Sequence, residues 1–174
     1  RRELGVRTIF NFLGPLSNPA GATRQLLGVS QLKMVEPMAR ALLALGARHA
    51  LVVRGEDGLD ELSTTGPSLI AEVRAGEVSH YTITPEDYGL ERVSFAEIEG
   101  GIPKVAASRL RAVLGGERNA YSDLVALNAG AALYVSGKAE SIGDGVGLAR
   151  SILTSRSALE VLENVIRFSK AAIR

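Results

Sequence analysis

Two adjacent carboxylates, Asp60-Glu61, close an acidic, turn-rich stretch that begins at Arg54-Gly55-Glu56-Asp57-Gly58-Leu59. Magnesium takes one or two protein carboxylates and completes its shell with substrate phosphates and water, because it gives up hydration reluctantly. On a regular strand neighbouring side chains point to opposite faces, so such a pair converges on one ion only from an irregular loop. A solvated acidic turn has the same composition, and spacing alone favours it. The loop follows a continuous apolar run, however, and ligands of open parallel sheets gather at the carboxyl ends of strands. That placement raises the metal reading.

Arg1, Arg2 and Arg7 precede a breaker at Gly14-Pro15. A guanidinium is the preferred partner of a planar carboxylate, since its fork makes two parallel charged hydrogen bonds. Spacing alone reads these three as ordinary surface arginines. Gly143-Asp144-Gly145-Val146-Gly147 matches no phosphate-loop pattern and follows no strand, so it is read as loosening the start of a helix. His49 and His80 are the only histidines. They are too isolated for a zinc site, and are expected to be structural or exposed. There is no cysteine, which removes disulfides and thiolate metal sites. No G-x-S-x-G occurs, which argues against a serine hydrolase.

These groups need elements to hold them. The 174 residues, 46% hydrophobic and 22% charged, have the composition of one globular unit. Lys and Arg number 20 against 19 Asp and Glu, so the chain lacks the basic stripe of a nucleic-acid binder. No apolar run approaches the roughly 20 residues that span a bilayer. The first residues carry no secretory pattern and no initiating methionine, which suggests a start inside a longer gene product.

The apolar segment Thr8 to Leu13 is expected to close at Gly14-Pro15. Gln25 to Val29 reads as a strand, Lys33 to Leu45 as a helix stopped by Gly46, and Ala50 to Val53 as a strand buried on both faces. That order makes a βαβ unit with the acidic loop behind its second strand. Ser68 to Val73 and Val78 to Ile83 alternate as a β-hairpin, and Pro85 to Gly89 is a turn. From Lys104 on the chain reads as helices over Lys104–Leu114, Ala120–Val135, Ile142–Leu153 and Ser157–Ile173. The Leu124 to Leu133 region is apolar nearly all round, so its helix should be buried.

The stretch Arg1-Arg2-Glu3-Leu4-Gly5-Val6-Arg7-Thr8-Ile9-Phe10-Asn11-Phe12-Leu13-Gly14-Pro15-Leu16-Ser17-Asn18-Pro19 resembles the signature of anthranilate phosphoribosyltransferases. Gln25 to Val29, Gly55 to Glu61 and Leu127-Asn128-Ala129-Gly130-Ala131-Ala132-Leu133 fall in the family's order behind it. The resemblance implies the carboxy-terminal portion, residues 1–174, of a large α/β domain of the nucleoside phosphorylase/phosphoribosyltransferase type. Its expected fold is part of a mostly parallel sheet flanked by helices, with a β-hairpin and a helical carboxy-terminal half. It also implies transfer of a phosphoribosyl group from phosphoribosyl pyrophosphate to anthranilate, in the cytoplasm, by a protein that is a homodimer at full length and engages neither nucleic acid nor membrane. By that resemblance Arg1 contacts anthranilate, Gly14 and Pro15 line its entry path, and Asp60 and Glu61 serve magnesium. No side chain is implied as a catalytic nucleophile.

The chain departs from the family where the glycine-rich G-T-G-G-D loop, the lysine-histidine-glycine-asparagine segment and the amino-terminal helical domain would stand, so alone it is expected to be inactive. An Asn-Ala pair frequent in the family near Pro103 to Leu110 is also missing. A pyrimidine nucleoside phosphorylase and a non-catalytic nucleic-acid-binding relative are the alternatives. The stretch from Asn11 to Pro19 favours the anthranilate enzyme over the first, and the balanced charge disfavours the second.

Overall fold

The computed structural model describes residues 10–172. Its first element, helix α1 (Phe10–Leu16), departs from expectation, because the chain does not break at Gly14-Pro15 but stays helical through Pro15. Proline inside a helix removes a backbone hydrogen bond. Here the helix ends one residue later, where the Ser17 N–H reaches Gly14 O at 3.3 Å, so little ladder remains to be disrupted.

Strand β1 (Arg24–Gly28) leads through a 3-10 turn at Leu32–Met34 and helix α2 (Val35–Ala44) to β2 (His49–Gly55), which pairs parallel to β1. This is the expected βαβ unit. Every residue of β2 from His49 to Val53 is buried, as its unbroken apolar run requires when both sheet faces are covered. The chain then returns through a loop to β3 (Ser68–Arg74), antiparallel to β2, and turns at Ala75-Gly76 into β4 (Glu77–Ile83). Both turn residues have positive φ, 53° and 84°, the geometry that matches strand twist in a tight hairpin. The order is β1-β2-β3-β4, with one parallel ladder and two antiparallel ones. The described sheet is therefore mixed, where a mostly parallel one was expected. A strand reached by a loop rather than by a crossover helix has to run back alongside its predecessor. The α/β class, the hairpin and the helical second half stand as read.

Strand alternation sends neighbouring residues into two cores. Ala50, Val52, Ala71 and Val73 pack with Met38 and Leu42 of α2. Leu51, Val53 and Ile70 pack on the other face, against the helical half. That half comprises α3 (Phe95–Ile98), α4 (Pro103–Leu114), α5 (Ala120–Ser136), α6 (Ile142–Ser155) and α7 (Ser157–Ala172). Only the short α3 was not anticipated, and its one sequence sign is the reciprocal Ser94–Glu97 capping box.

Helix α5 starts at Asn119, whose side chain accepts the Ser122 N–H at 3.0 Å, and stops at Gly137. The glycine run 143–147 lies within the first turns of α6, which runs unbroken over Ile142–Ser155; two glycines, Gly130 and Gly145, seat the α5–α6 crossing. A β-carbon on Gly145 would stand 2.1 Å from Gly130 O, and one on Gly130 would stand 2.5 Å from Val146 N.

His49 is a buried structural residue. Its Nε2 lies 2.8 Å from Glu72 Oε1, and Glu72 also accepts the hydroxyls of Tyr81 and Tyr134, each at 2.8 Å. A buried carboxylate so surrounded is compensated for its lost hydration. His80 is exposed and pairs with Glu36 at 2.6 Å. Among the described residues no helix is long and apolar enough to cross a membrane.

Candidate functional site

Strand β2 ends at Gly55, and the loop of residues 56–67 behind it is wound on Asp57. Asp57 Oδ1 accepts the Leu59 N–H at 2.9 Å, while Oδ2 accepts the Thr65 hydroxyl at 2.6 Å and that of Ser63. The Gly55 N–H to Leu59 O bond at 2.9 Å and the Gly58 N–H to Gly55 O bond at 3.1 Å close the ring. Burial pushes the Asp57 carboxyl up, but the hydrogen bonds from Ser63, Thr65 and Leu59, with the Arg54 charge, outweigh it and hold the group below the usual carboxylate range. Asp57 is thus committed to shaping the loop.

Asp60 comes next. Its carbonyl oxygen lies so close over Gly28, the last residue of β1, that a β-carbon there would sit 1.4 Å from it. Only glycine admits this approach, and it sets the loop across the carboxyl end of β1 as well as that of β2. Asp60 is exposed and Glu61 half-buried. The Glu61 carboxyl is pushed above its ordinary range, first by burial, then by the charges of Asp60 and Asp57. Two adjacent carboxylates, one partly desolvated and facing like charge, form a donor set that a divalent cation would relieve. Among the described residues no group of three or more His, Cys, Asp and Glu is disposed to hold a metal by itself. The pair therefore fits magnesium, which brings phosphate and water ligands of its own.

Behind the pair, Leu62 is fully buried in the core facing the helices. Its N–H donates to Asn128 Oδ1 at 2.9 Å, and Asn128 Nδ2 donates back to Leu62 O at 2.8 Å and to Leu124 O at 3.0 Å. Sequence reasoning gave Asn128 no role. The available signal was one amide in the middle of the apolar stretch from Leu124 to Val135.

Of the other residues singled out, Arg1 lies outside the described residues. Gly14 and Pro15 sit in the last turn of α1. Pro15 O accepts Gln25 Nε2 at 3.2 Å, which ties α1 to β1 three residues before Gly28, roughly 10 Å along the strand. The structure thus places Asp60 and Glu61 in the loop at the carboxyl end of β1 and holds Gly14-Pro15, on α1, against that strand further back, at Gln25. A cleft of about 500 Å³ lies elsewhere, beside the start of α5, where Arg150 pairs with Asp123 at 3.0 Å. It does not include the acidic loop.

Residues 1–159 match the family model of the glycosyl transferase family, a/b domain. The chain belongs to this family. Within the glycosyl transferase family it is similar to curated anthranilate phosphoribosyltransferases. That of Paramagnetospirillum magneticum is 52% identical over 166 residues, covering 95% of this chain and 48% of the relative. That of Rubrobacter xylanophilus is 54% identical over 171 residues, covering 98% and 50%. Among solved structures, the anthranilate phosphoribosyltransferase of Thermus thermophilus matches with a TM-score of 0.88 at 46% identity, over 97% of this chain and 50% of that one. The Saccharomyces cerevisiae protein of the same name, in complex with PRPP and Mg, gives 0.81 at 26% identity, over 94% and 47%. The chain spans about half the length of the curated relatives it matches.

Proposed function

We propose that this chain is the carboxy-terminal part of the large α/β domain of an anthranilate phosphoribosyltransferase. The whole protein joins the amine of anthranilate to the anomeric carbon of phosphoribosyl pyrophosphate (PRPP), releasing pyrophosphate, as a step of tryptophan biosynthesis. The observation that carries this reading is the acidic loop, whose Asp60-Glu61 peptide is pinned over Gly28 at the carboxyl ends of β1 and β2. The similarity to anthranilate phosphoribosyltransferases along nearly the whole chain supports it.

In this reading Asp60 and Glu61 hold magnesium, and Arg1, with Gly14 and Pro15, serves the anthranilate side. The metal that Asp60 and Glu61 would hold would supply positive charge opposite the departing pyrophosphate. The chain's own contribution is placement. Asp57 fixes the loop, Gly28 fixes the Asp60 backbone, and the Arg1 fork orients the benzoate carboxylate. Because the substrate amine is itself the nucleophile, no side chain need attack, and acceleration comes from positioning and from stabilising the leaving charge. We read the whole protein as a cytoplasmic homodimer, as the family resemblance implies.

The test is loss of anthranilate fluorescence. The full-length protein should consume anthranilate when PRPP and magnesium are both present and stop on adding EDTA, whereas this chain alone should show no turnover. Phosphorolysis of a pyrimidine nucleoside by the full-length protein, with anthranilate untouched, would overturn the reading.

A further inference from the structure

We infer that Asn128 is a positioning residue for the metal-binding pair, an inference that rests on the reading of Asp60 and Glu61 just given. Helix α5 is apolar around most of its girth, and a half-buried amide at its centre has no place in such packing unless something engages it. Among the described residues, all the hydrogen bonds of this amide go to backbone. It takes the N–H and returns a bond to the carbonyl of the same residue, Leu62, and it braces itself on Leu124 O one helical turn back. A reciprocal pair of bonds to one peptide residue fixes both the position and the tilt of that residue, as a single bond does not.

Leu62 follows Glu61 directly, so the orientation of its backbone sets where the Glu61 carboxylate points. On the other side of the pair, the contact of Asp60 O with Gly28 fixes the preceding peptide. The two carboxylates therefore hang between two clamps, one on β1 and one on α5. Asn128 also stands two residues from Gly130, where α5 and α6 meet backbone to backbone. The register of α5 is thus locked where the clamp needs it. An apolar residue at 128 would fill the space and keep the helix, but would leave the Leu62 peptide free to turn.

The experiment uses the full-length protein and Mn2+ as a spectroscopic substitute for magnesium, with binding followed by electron paramagnetic resonance in the presence of pyrophosphate. Three variants are compared with the unaltered protein: Asp60→Asn, Asn128→Ala, and Ala132→Gly, the last being an exposed α5 position that weakens the helix without touching the loop. Asn128→Ala should bind Mn2+ about tenfold more weakly, the scale of losing a group that orients a metal ligand, while Ala132→Gly binds as the unaltered protein does. Unchanged Mn2+ affinity in Asn128→Ala, with Asp60→Asn impaired, would overturn the positioning role and leave the metal site standing. Unchanged affinity in Asp60→Asn would overturn the site reading itself. Should Asn128→Ala fail to fold, Asn128→Asp keeps an acceptor for the Leu62 N–H but cannot donate to its carbonyl. Weakened binding there supports the role, and full binding refutes it.

Discussion

At the scale of single residues, the acidic loop contains two carboxylates displaced in opposite directions. Asp57 is held below its ordinary range by hydrogen bonds that outweigh burial. The stability it contributes is present above its unfolded value, about 3.9, and is lost as pH falls through the folded value. Glu61 is held above its ordinary range by burial and then by Asp60 and Asp57. Its protonated form is favoured in the fold, so its contribution is full below the unfolded value of about 4.3 and disappears as pH rises through the folded value. At neutral pH Glu61 therefore works against the metal-free fold. Glu61→Gln should raise the melting temperature of the metal-free protein and abolish the extra stabilisation given by magnesium with pyrophosphate. A calorimetric scan with and without those ligands checks both halves. The sequence singled out Asp60 and Glu61 as an adjacent pair on an irregular loop, but carried no sign of the different part that Asp57 plays there. What separates them is the path that returns Ser63 and Thr65 to the Asp57 carboxylate, and a run of loop residues does not encode that path.

At the scale of elements, periodicity and breakers located β1, α2, β2, the hairpin and the four long helices to within a residue or two. The elements that depended on tertiary context were harder to read. Helix α1 continues through Pro15, although proline ordinarily marks an end. The glycines of 143–147 were read as loosening a helix. For Gly145 the reason is the close crossing with Gly130, a partner 15 residues away that only the packed helices reveal. The crossing makes a definite demand on side-chain size. Gly145→Ala should cost about 1–3 kcal/mol or more, the usual range for overpacking, because the added carbon meets backbone rather than a flexible side chain. Urea denaturation measures this, and a loss within about 0.5 kcal/mol, the range of neutral surface changes, would mean that the helices can part without strain.

At the scale of the whole molecule, the two halves of the chain have different tasks. The βαβ unit and hairpin build a sheet with a core on each face and carry the acidic loop at the ends of β1 and β2. The helical half covers one face and reaches the loop through Asn128. In the proposed enzyme this is one wall of a cleft for two substrates. The central claim is that Asp60 and Glu61 serve the leaving pyrophosphate. The most direct measurement is the steady-state rate of anthranilate consumption by the full-length protein carrying Asp60→Asn and Glu61→Gln together. At saturating PRPP and magnesium kcat should fall by about 100-fold or more, the scale of removing a preorganised charge contact in a transition state, while the protein remains folded. A folded double variant that turns over at the unaltered rate would contradict the account.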